Sequence, residues 1–453
     1  MKRVSADFVI HPMHQYFRRW LSSLSALLLC CSAPTRAADW PGWRGPTGLG
    51  YCDEKDLPLT WNGKTGENIL WKAALNGEPT KRDQDMTQPG WSCPIVWRDR
   101  IFVTTSIFPE GLSKAERPTT IAAHHVLCFD AKDGRQLWDT VIPPGEIVTL
   151  SANPYHGYAV PTPVTDGKNI FALFCSGVLV ALDFDGKIIW REELPKLKST
   201  EAGICSSPVL FQDSVIVPGL HELGLRALFK KDGKVKWEQQ TKARNTMATP
   251  ALIRIGDRLQ LIHYAGGMQG LDPATGELIW NCRASSSQSS PVFGNGLLYA
   301  DHGRGGEKGT AVDPVGQGDL SKTNVKWENS VRTPAGSSAI AVDGHIYRAT
   351  DGSFIRCWSL KNGEQVDELK ALKITPSASP VATADGRIYW ANPGKSYVIK
   401  ASPKLEVLAM NDLEDGFDFS TAAFANGRIY IKGRSNLDRK STRLNSSHTD
   451  ISR

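Results

Sequence analysis

Short apolar runs, each broken by a glycine-containing turn, follow one another from residue 92 to residue 433. One form of the pattern is a pair of small residues, usually followed by proline, leading into an apolar run. It reads SCPIVWRDRIFVTT (92–105), PTPVTDGKNIFALF (161–174), SSPVLFQDSVIVPG (206–219) and ATPALIRIGDRLQLI (248–262). It continues as SSPVFGNGLLYA (289–300), SSAIAVDGHIYRA (337–349), ASPVATADGRIYWA (378–391) and STAAFANGRIYIKG (420–433). A second form closes on tryptophan, as in DAKDGRQLW (130–138), DFDGKIIW (183–190), KDGKVKW (231–237) and DPATGELIW (272–280). Asp-Gly and Asn-Gly between apolar runs predict tight hairpins, because such turns need positive φ and glycine supplies it without steric cost. No helical period of useful length lies between them.

The two forms alternate, so each unit holds four short strands: an apolar strand, a Gly turn, a second strand, then a third and fourth joined by the Asp/Gly turn that precedes tryptophan. A spacing of roughly forty to fifty residues suits the blades of a propeller. Seven units are complete, and the eighth (420–437) has only its first strands. The missing outer strand is expected from NILWKAAL (68–75), which reads like QLWDTVI and IIWREEL. The expectation is an all-β, eight-bladed β-propeller of four-stranded antiparallel blades, with the last blade closed by an N-terminal strand; seven or nine blades are the miscount alternatives. Closing the ring removes open sheet edges.

Composition changes this picture mainly at the ends. Hydrophobic residues are 41% and charged residues 22% of 453, a globular balance. The net charge of +6 resides in residues 1–37 and 438–453, and the body between them is neutral. A neutral body carries no electrostatic footprint for nucleic acid or an anionic membrane. LSSLSALLLCCSA (21–33), after Arg18 and Arg19, is too short to span a bilayer and suits a signal-peptide core, with cleavage after Ala37. Met13 is an alternative start. A twin-arginine signal at FRRW and a lipid anchor at Cys30 or Cys31 are minority readings. The domain reading is a signal peptide over 1–37, one propeller over 38–437 and a non-native tail over 438–453. The location is then periplasmic or secreted, with no transmembrane segment, and the protein is expected to be a monomer.

Seven cysteines follow the leader: Cys52, Cys93, Cys128, Cys175, Cys205, Cys282 and Cys357. No CxxC or CxxCH occurs among them, so zinc ribbons and c-type haem have no support. A small buried thiol is the reading for those inside apolar runs.

The recurring tryptophans Trp71, Trp138, Trp190, Trp237, Trp280 and Trp327 are read as structural. Each indole is expected to cross the seam to the next blade, its N–H meeting a backbone acceptor. The unit resembles the tryptophan-docking repeat of quinoprotein (PQQ-like) β-propellers over nearly all of residues 68–437. DWPGWRGPTGLG (39–50), followed by LPLTW and NILWKAAL, is similar to the opening of secreted planctomycete-type members. That resemblance implies two kinds of protein: PQQ- and Ca²⁺-dependent alcohol or sugar dehydrogenases, and non-enzymatic scaffolds of outer-membrane assembly. The fold does not choose between them.

A PQQ dehydrogenase needs oxygen ligands for Ca²⁺ beside the quinone, an Asp base and an aromatic floor. Its alcohol-oxidising members also carry a disulfide between adjacent cysteines, and here the one adjacent pair, Cys30–Cys31, lies in the leader. The leading reading is therefore a ligand- or protein-binding scaffold with no catalytic residues and no cofactor. The alternatives are a PQQ- and Ca-dependent oxidoreductase and an outer-membrane assembly-type scaffold. Loops that join blades, or second to third strands, share one face around the channel. On it the candidate binding residues are Trp91, Tyr155, His156, His221, Arg244, Tyr264, His302, Arg304, Asp415 and Asp418, a rim suited to an anionic or sugar-like ligand. No metal ligand set is assigned. His124–His125 is read as a surface loop entering a strand rather than a metal site. No G-x-S-x-G elbow is present.

Overall fold

The Asp/Gly hairpins form as the pattern requires. In the first unit, Gly134 adopts φ 78° and its N–H donates to Asp130 O, while Asp130 Oδ1 accepts from Lys132 N. In the fourth, Gly276 N donates to Asp272 O, and Asp272 Oδ1 accepts from Ala274 N. The computed structural model describes residues 39–75, 90–107, 122–145, 157–195, 203–219, 224–240, 247–284, 288–301, 305–333, 336–370, 378–391, 394–413, 420–433 and 436–440. No helix occurs among them.

The strands group into eight sheets of four antiparallel strands each, with parallel additions at two edges. Blade 1 is Ile95–Trp97, Arg100–Ile107, Ala123–Asp130 and Gln136–Ile142. Blades 2 to 7 repeat that order over 164–193, 209–239, 251–282, 292–333, 340–370 and 381–412. Blade 8 takes Ala423–Ala425, Arg428–Lys432 and Asn436–Lys440 from the end of the chain and Ile69–Ala74 from its beginning. Ile69–Ala74 runs antiparallel to Asn436–Lys440, with Trp71 opposite Arg439. The protein is an eight-bladed β-propeller closed by an N-terminal strand. Its last C-terminal strand runs through Lys440, three residues into the stretch read as tail.

Tryptophan docking joins the blades at their outer strands. A Cβ added to Gly134, Gly186, Gly233, Gly276 or Gly363 would lie within 2.4–2.8 Å of Trp71, Trp138, Trp190, Trp237 or Trp327 of the preceding blade. Glycine thus serves twice, adopting positive φ and clearing space for the indole. The indole N–H groups then reach the same turns: Trp71 to Ala131 O (3.3 Å), Trp138 to Phe184 O (2.9 Å), Trp190 to Lys230 O (2.7 Å) and Trp327 to Leu360 O (2.8 Å). The Trp237 N–H finds no acceptor.

Three seams depart from the rule. Trp280 is fully buried and donates to Gln260 Oε1 of its own blade at 2.8 Å, so the expected backbone acceptor is corrected here. The turn that would receive it, in blade 5, is enlarged, and Gly318–Asp319 lies parallel to Trp280–Asn281 as an extra edge strand. Asp367 of blade 6 stands opposite Cys357, as Trp138 stands opposite Cys128, and takes Leu405 N of blade 7 at 2.7 Å. At blade 7, Ala409 holds the position, and the N-terminal residues Trp61–Gly63 bond to Asn411 and Asp412 instead.

The core lies between blades. Val164, Phe171 and Ala181 pack with Val215, Val217 and Leu228 across one seam, and Ile340, Tyr347 and Cys357 pack with Ile388, Trp390 and Ile399 across another. None of the seven cysteines described is in a disulfide, and six are buried.

Candidate functional site

The small-small-Pro signal marks the inner end of each blade, and the described residues show what it does there. Each backbone N–H donates to the side chain of the equivalent residue one blade on. Cys93 donates to Thr162 Oγ1 (3.0 Å), Thr162 to Ser207 Oγ (2.9 Å), Ser207 to Thr249 Oγ1 (2.9 Å) and Thr249 to Ser290 Oγ (3.2 Å). Ser290 donates to Ser338 Oγ (2.9 Å), Ser338 to Ser379 Oγ (3.0 Å), Ser379 to Thr421 Oγ1 (3.0 Å), and Thr421 returns to Cys93 Sγ (3.0 Å). The eight bonds form a closed circle around the axis. Seven acceptors are hydroxyls and one is sulfur.

Residues 40–52 run against the inner strands beside that circle. Trp40 exchanges backbone hydrogen bonds with Val96 of blade 1, and Pro41 O accepts from Thr165 N of blade 2. Trp43 Nε1 donates to Ser290 Oγ of blade 5 at 3.3 Å, and Arg44 Nη2 to Ala339 O of blade 6 at 2.8 Å. Gly50 O accepts from Ala382 N, and Tyr51–Cys52 runs parallel to Ala382–Thr383 of blade 7. A segment that touches the inner strands of five blades lies on the axis. The N-terminal DWPGWRGP motif is therefore a plug built from the chain itself.

Charge is buried around this plug. Arg44 is 1% exposed, its Nε and Nη1 have no partner, and burial lowers its pKa to about 10. Arg348 Nε and Nη2 grip Asp301 at 3.1 and 3.2 Å, both side chains fully buried, and Nη1 donates to Ser337 Oγ at 2.6 Å. This pair fastens blade 5 to blade 6. Lys432 of blade 8 caps Gly90 O (2.5 Å) and Ser92 Oγ (3.2 Å) of blade 1. Asp301, Arg348 and Lys432 thus have the partners that offset the cost of burying a charge. Sequence reading missed all three groups. The available signal was a lone Arg or Lys inside an apolar second strand, as in HIYRAT and RIYIKG.

The expected rim is only partly described. Trp91 is half-buried and sits between Gly90 and Ser92, which receive Lys432. Tyr264 is fully buried and donates its hydroxyl to Tyr299 O at 2.8 Å, placing it in the seam between blades 4 and 5 and not on the rim. Its position follows strand alternation: it faces the same way as Ile262, two residues earlier. Tyr155, His156, His221, Arg244, His302, Arg304, Asp415 and Asp418 lie outside the described residues.

His124 and His125 are on the third strand of blade 1, and neither is on the surface, which corrects the expectation of a surface loop. His124 stacks on Phe174 (4.4 Å, 13°) with Nε2 2.8 Å from Ser176 Oγ, and burial lowers its pKa to about 3. His125 Nδ1 pairs with Asp139 Oδ1 at 2.9 Å. Among the described residues no three His, Cys, Asp or Glu side chains gather as a metal site, and no helix is long and apolar enough to cross a membrane.

Comparison with known proteins agrees with this architecture. The family model described as outer membrane protein assembly factor BamB matches residues 122–367. A polyvinylalcohol dehydrogenase of Pseudomonas sp is 25% identical over 339 residues, covering 58% of this chain and 52% of that protein. The chain thus spans about half the length of the curated relative it matches. Among solved structures, BamB from Moraxella catarrhalis aligns with TM-score 0.50 and 14% identity, over 70% of this chain and 93% of that one. A europium-containing methanol dehydrogenase aligns with TM-score 0.50 and 12% identity, over 88% and 90%. Likeness at these identities speaks for the fold.

Proposed function

Because the chain belongs to the PQQ-repeat family described as outer membrane protein assembly factor BamB, we propose that it is an exported binding scaffold. Its ligand or partner would dock on the face formed by the blade-joining loops, with no chemistry of its own. The observation that carries this reading is the plug: Trp40, Trp43 and Arg44 fill the axis of the ring and are tied to it by hydrogen bonds. A partner then approaches the loops and not the channel. Trp91, His156, His302 and Asp418 are its proposed contacts. The apolar segment before Ala37 and the neutral body fit a monomer exported to the periplasm or beyond.

A second reading is a PQQ- and Ca²⁺-dependent oxidoreductase acting on an alcohol or sugar, supported by the match to a polyvinylalcohol dehydrogenase. Such a site needs several oxygen ligands around Ca²⁺. With Trp43 and Arg44 tied to the inner ends of blades 5 and 6, such ligands would have to come from the loops of the open face. A third reading, an outer-membrane assembly-type scaffold, follows the family model's own description.

One experiment separates the first two readings. The purified full chain is mixed with PQQ and Ca²⁺, and quinone absorbance and dye reduction are followed with a panel of alcohols and sugars. The scaffold reading expects no substrate-dependent signal, and a saturable one overturns it.

A further inference from the structure

The repeat breaks in blade 3, away from the loop-lined face. Phe229 N donates to Lys234 O at 2.8 Å and Phe229 O accepts from Gly233 N at 2.9 Å. Asp130 and Asp272 make the same two bonds in blades 1 and 4. Phe229 therefore stands where those blades have the turn-capping aspartate. Its ring borders a cavity of about 310 Å³ between the turns of blades 2 and 3, together with Asn169, Asp213, Lys230 and Lys231. That volume is at the small end of ligand pockets, on the order of one ring.

The charges around the ring are unequal. Lys230 pairs with Asp166 at 2.9 Å, and Lys236 with Asp213 at 2.8 Å. Lys231 has no ion pair among the described residues, and its Nζ lies 5.5 Å from the Phe229 centroid, as does that of Lys236. The site thus offers an aromatic ring, an amide, a carboxylate held by Lys236 and one surplus ammonium.

We propose that this cavity binds a single uronic-acid ring, a carboxylated sugar. The apolar C–H face of the pyranose lies on Phe229. Asn169 and Asp213 exchange hydrogen bonds with its hydroxyls, and Lys231 takes the carboxylate. A flat hydrophobic acid would use the ring and Lys231 but offers no hydroxyls for Asn169 and Asp213 to bond. A neutral sugar would leave Lys231 without its anion.

Calorimetry and saturation-transfer NMR on the full chain test this with sodium glucuronate, glucose and benzoate. Glucuronate is expected to bind, with glucose and benzoate each weaker by about tenfold, equivalent to ~1.4 kcal/mol. Phe229→Asp restores the residue used in other blades, so it should fold and lose glucuronate binding. Lys231→Gln should reduce glucuronate to the level of glucose. Absence of glucuronate binding overturns the proposal. So does binding that persists in Phe229→Asp with unchanged thermal unfolding, or benzoate binding as tightly as glucuronate.

Discussion

The backbone N–H of Thr421 donates to the sulfur of Cys93 at 3.0 Å, across 328 residues of sequence. This bond closes the eight-membered circle, and it is the one place where sulfur replaces a hydroxyl. Cys93 is buried and burial raises its thiol pKa, so the acceptor is a neutral thiol. Cys93→Ala leaves a buried N–H without an acceptor, a loss of about 1–3 kcal/mol. Cys93→Ser supplies the hydroxyl used at the other seven positions and should be close to neutral. Urea unfolding of the two variants checks the difference, and equal destabilisation would show that packing of the sulfur matters more than its hydrogen bond.

Gly363 and Gly296 separate the two uses of glycine in the repeat. Both have positive φ, 73° and 78°. A Cβ at Gly363 would lie 2.4 Å from Trp327, whereas one at Gly296 meets nothing within 4 Å. Gly296→Ala should cost only the left-handed backbone term, about 1–2 kcal/mol. Gly363→Ala must also displace the Trp327 indole from its seam and should cost clearly more. Thermal unfolding gives the ranking, and tryptophan fluorescence should shift in Gly363→Ala alone.

Much of this was legible in the sequence because hairpin and docking make demands on neighbouring residues. Asp130, Gly134 and Trp138 fall within nine consecutive residues, and the turn, the cleared space and the indole each require their residue type. The closing strand at Ile69–Ala74 was legible for the same reason: Trp71 keeps the grammar. The Ser/Thr circle was seen only as a marker, since each bond joins residues about a blade apart and nothing local announces it. Asp367 in a tryptophan's place and Gly318–Asp319 along blade 4 were hidden because each solves a seam by a contact with another blade. Tyr264 ends a strand, and the register of that strand, not the proximity of a loop, decides that its ring turns into the seam. Arg44 was legible as part of a motif, but not as the centre of a plug.

The Asp301–Arg348 pair supplies a third test. Both side chains are fully buried and the grip is bidentate. Arg348→Met strands a buried carboxylate and should cost about 3–5 kcal/mol. Adding Asp301→Leu removes the stranded charge, and the double variant should recover most of the loss. A double-mutant cycle from urea unfolding reads the coupling, and additive losses would mean that the pair contributes nothing beyond its separate packing.

Stability should also fall as the solution is acidified, through imidazoles buried in the neutral form. His263 is 1% exposed, both ring nitrogens lack partners, and burial alone lowers its pKa from 6.5 to about 4. A depressed basic group takes up its proton first in the unfolded chain. Its contribution is therefore complete above pH 6.5, is lost progressively as pH falls toward 4, and changes no further below that. Between pH 7.5 and pH 5 the loss from His263 is about 2 kcal/mol. His124, lowered to about 3 by burial, adds a loss of the same sign that extends further into acid. His263→Leu removes the unpartnered nitrogens and the titration together, so the variant should melt above the parent at pH 5 while its advantage narrows at pH 7.5. Melting curves of both proteins across this range decide the matter: parallel pH profiles would show that His263 does not carry the acid sensitivity.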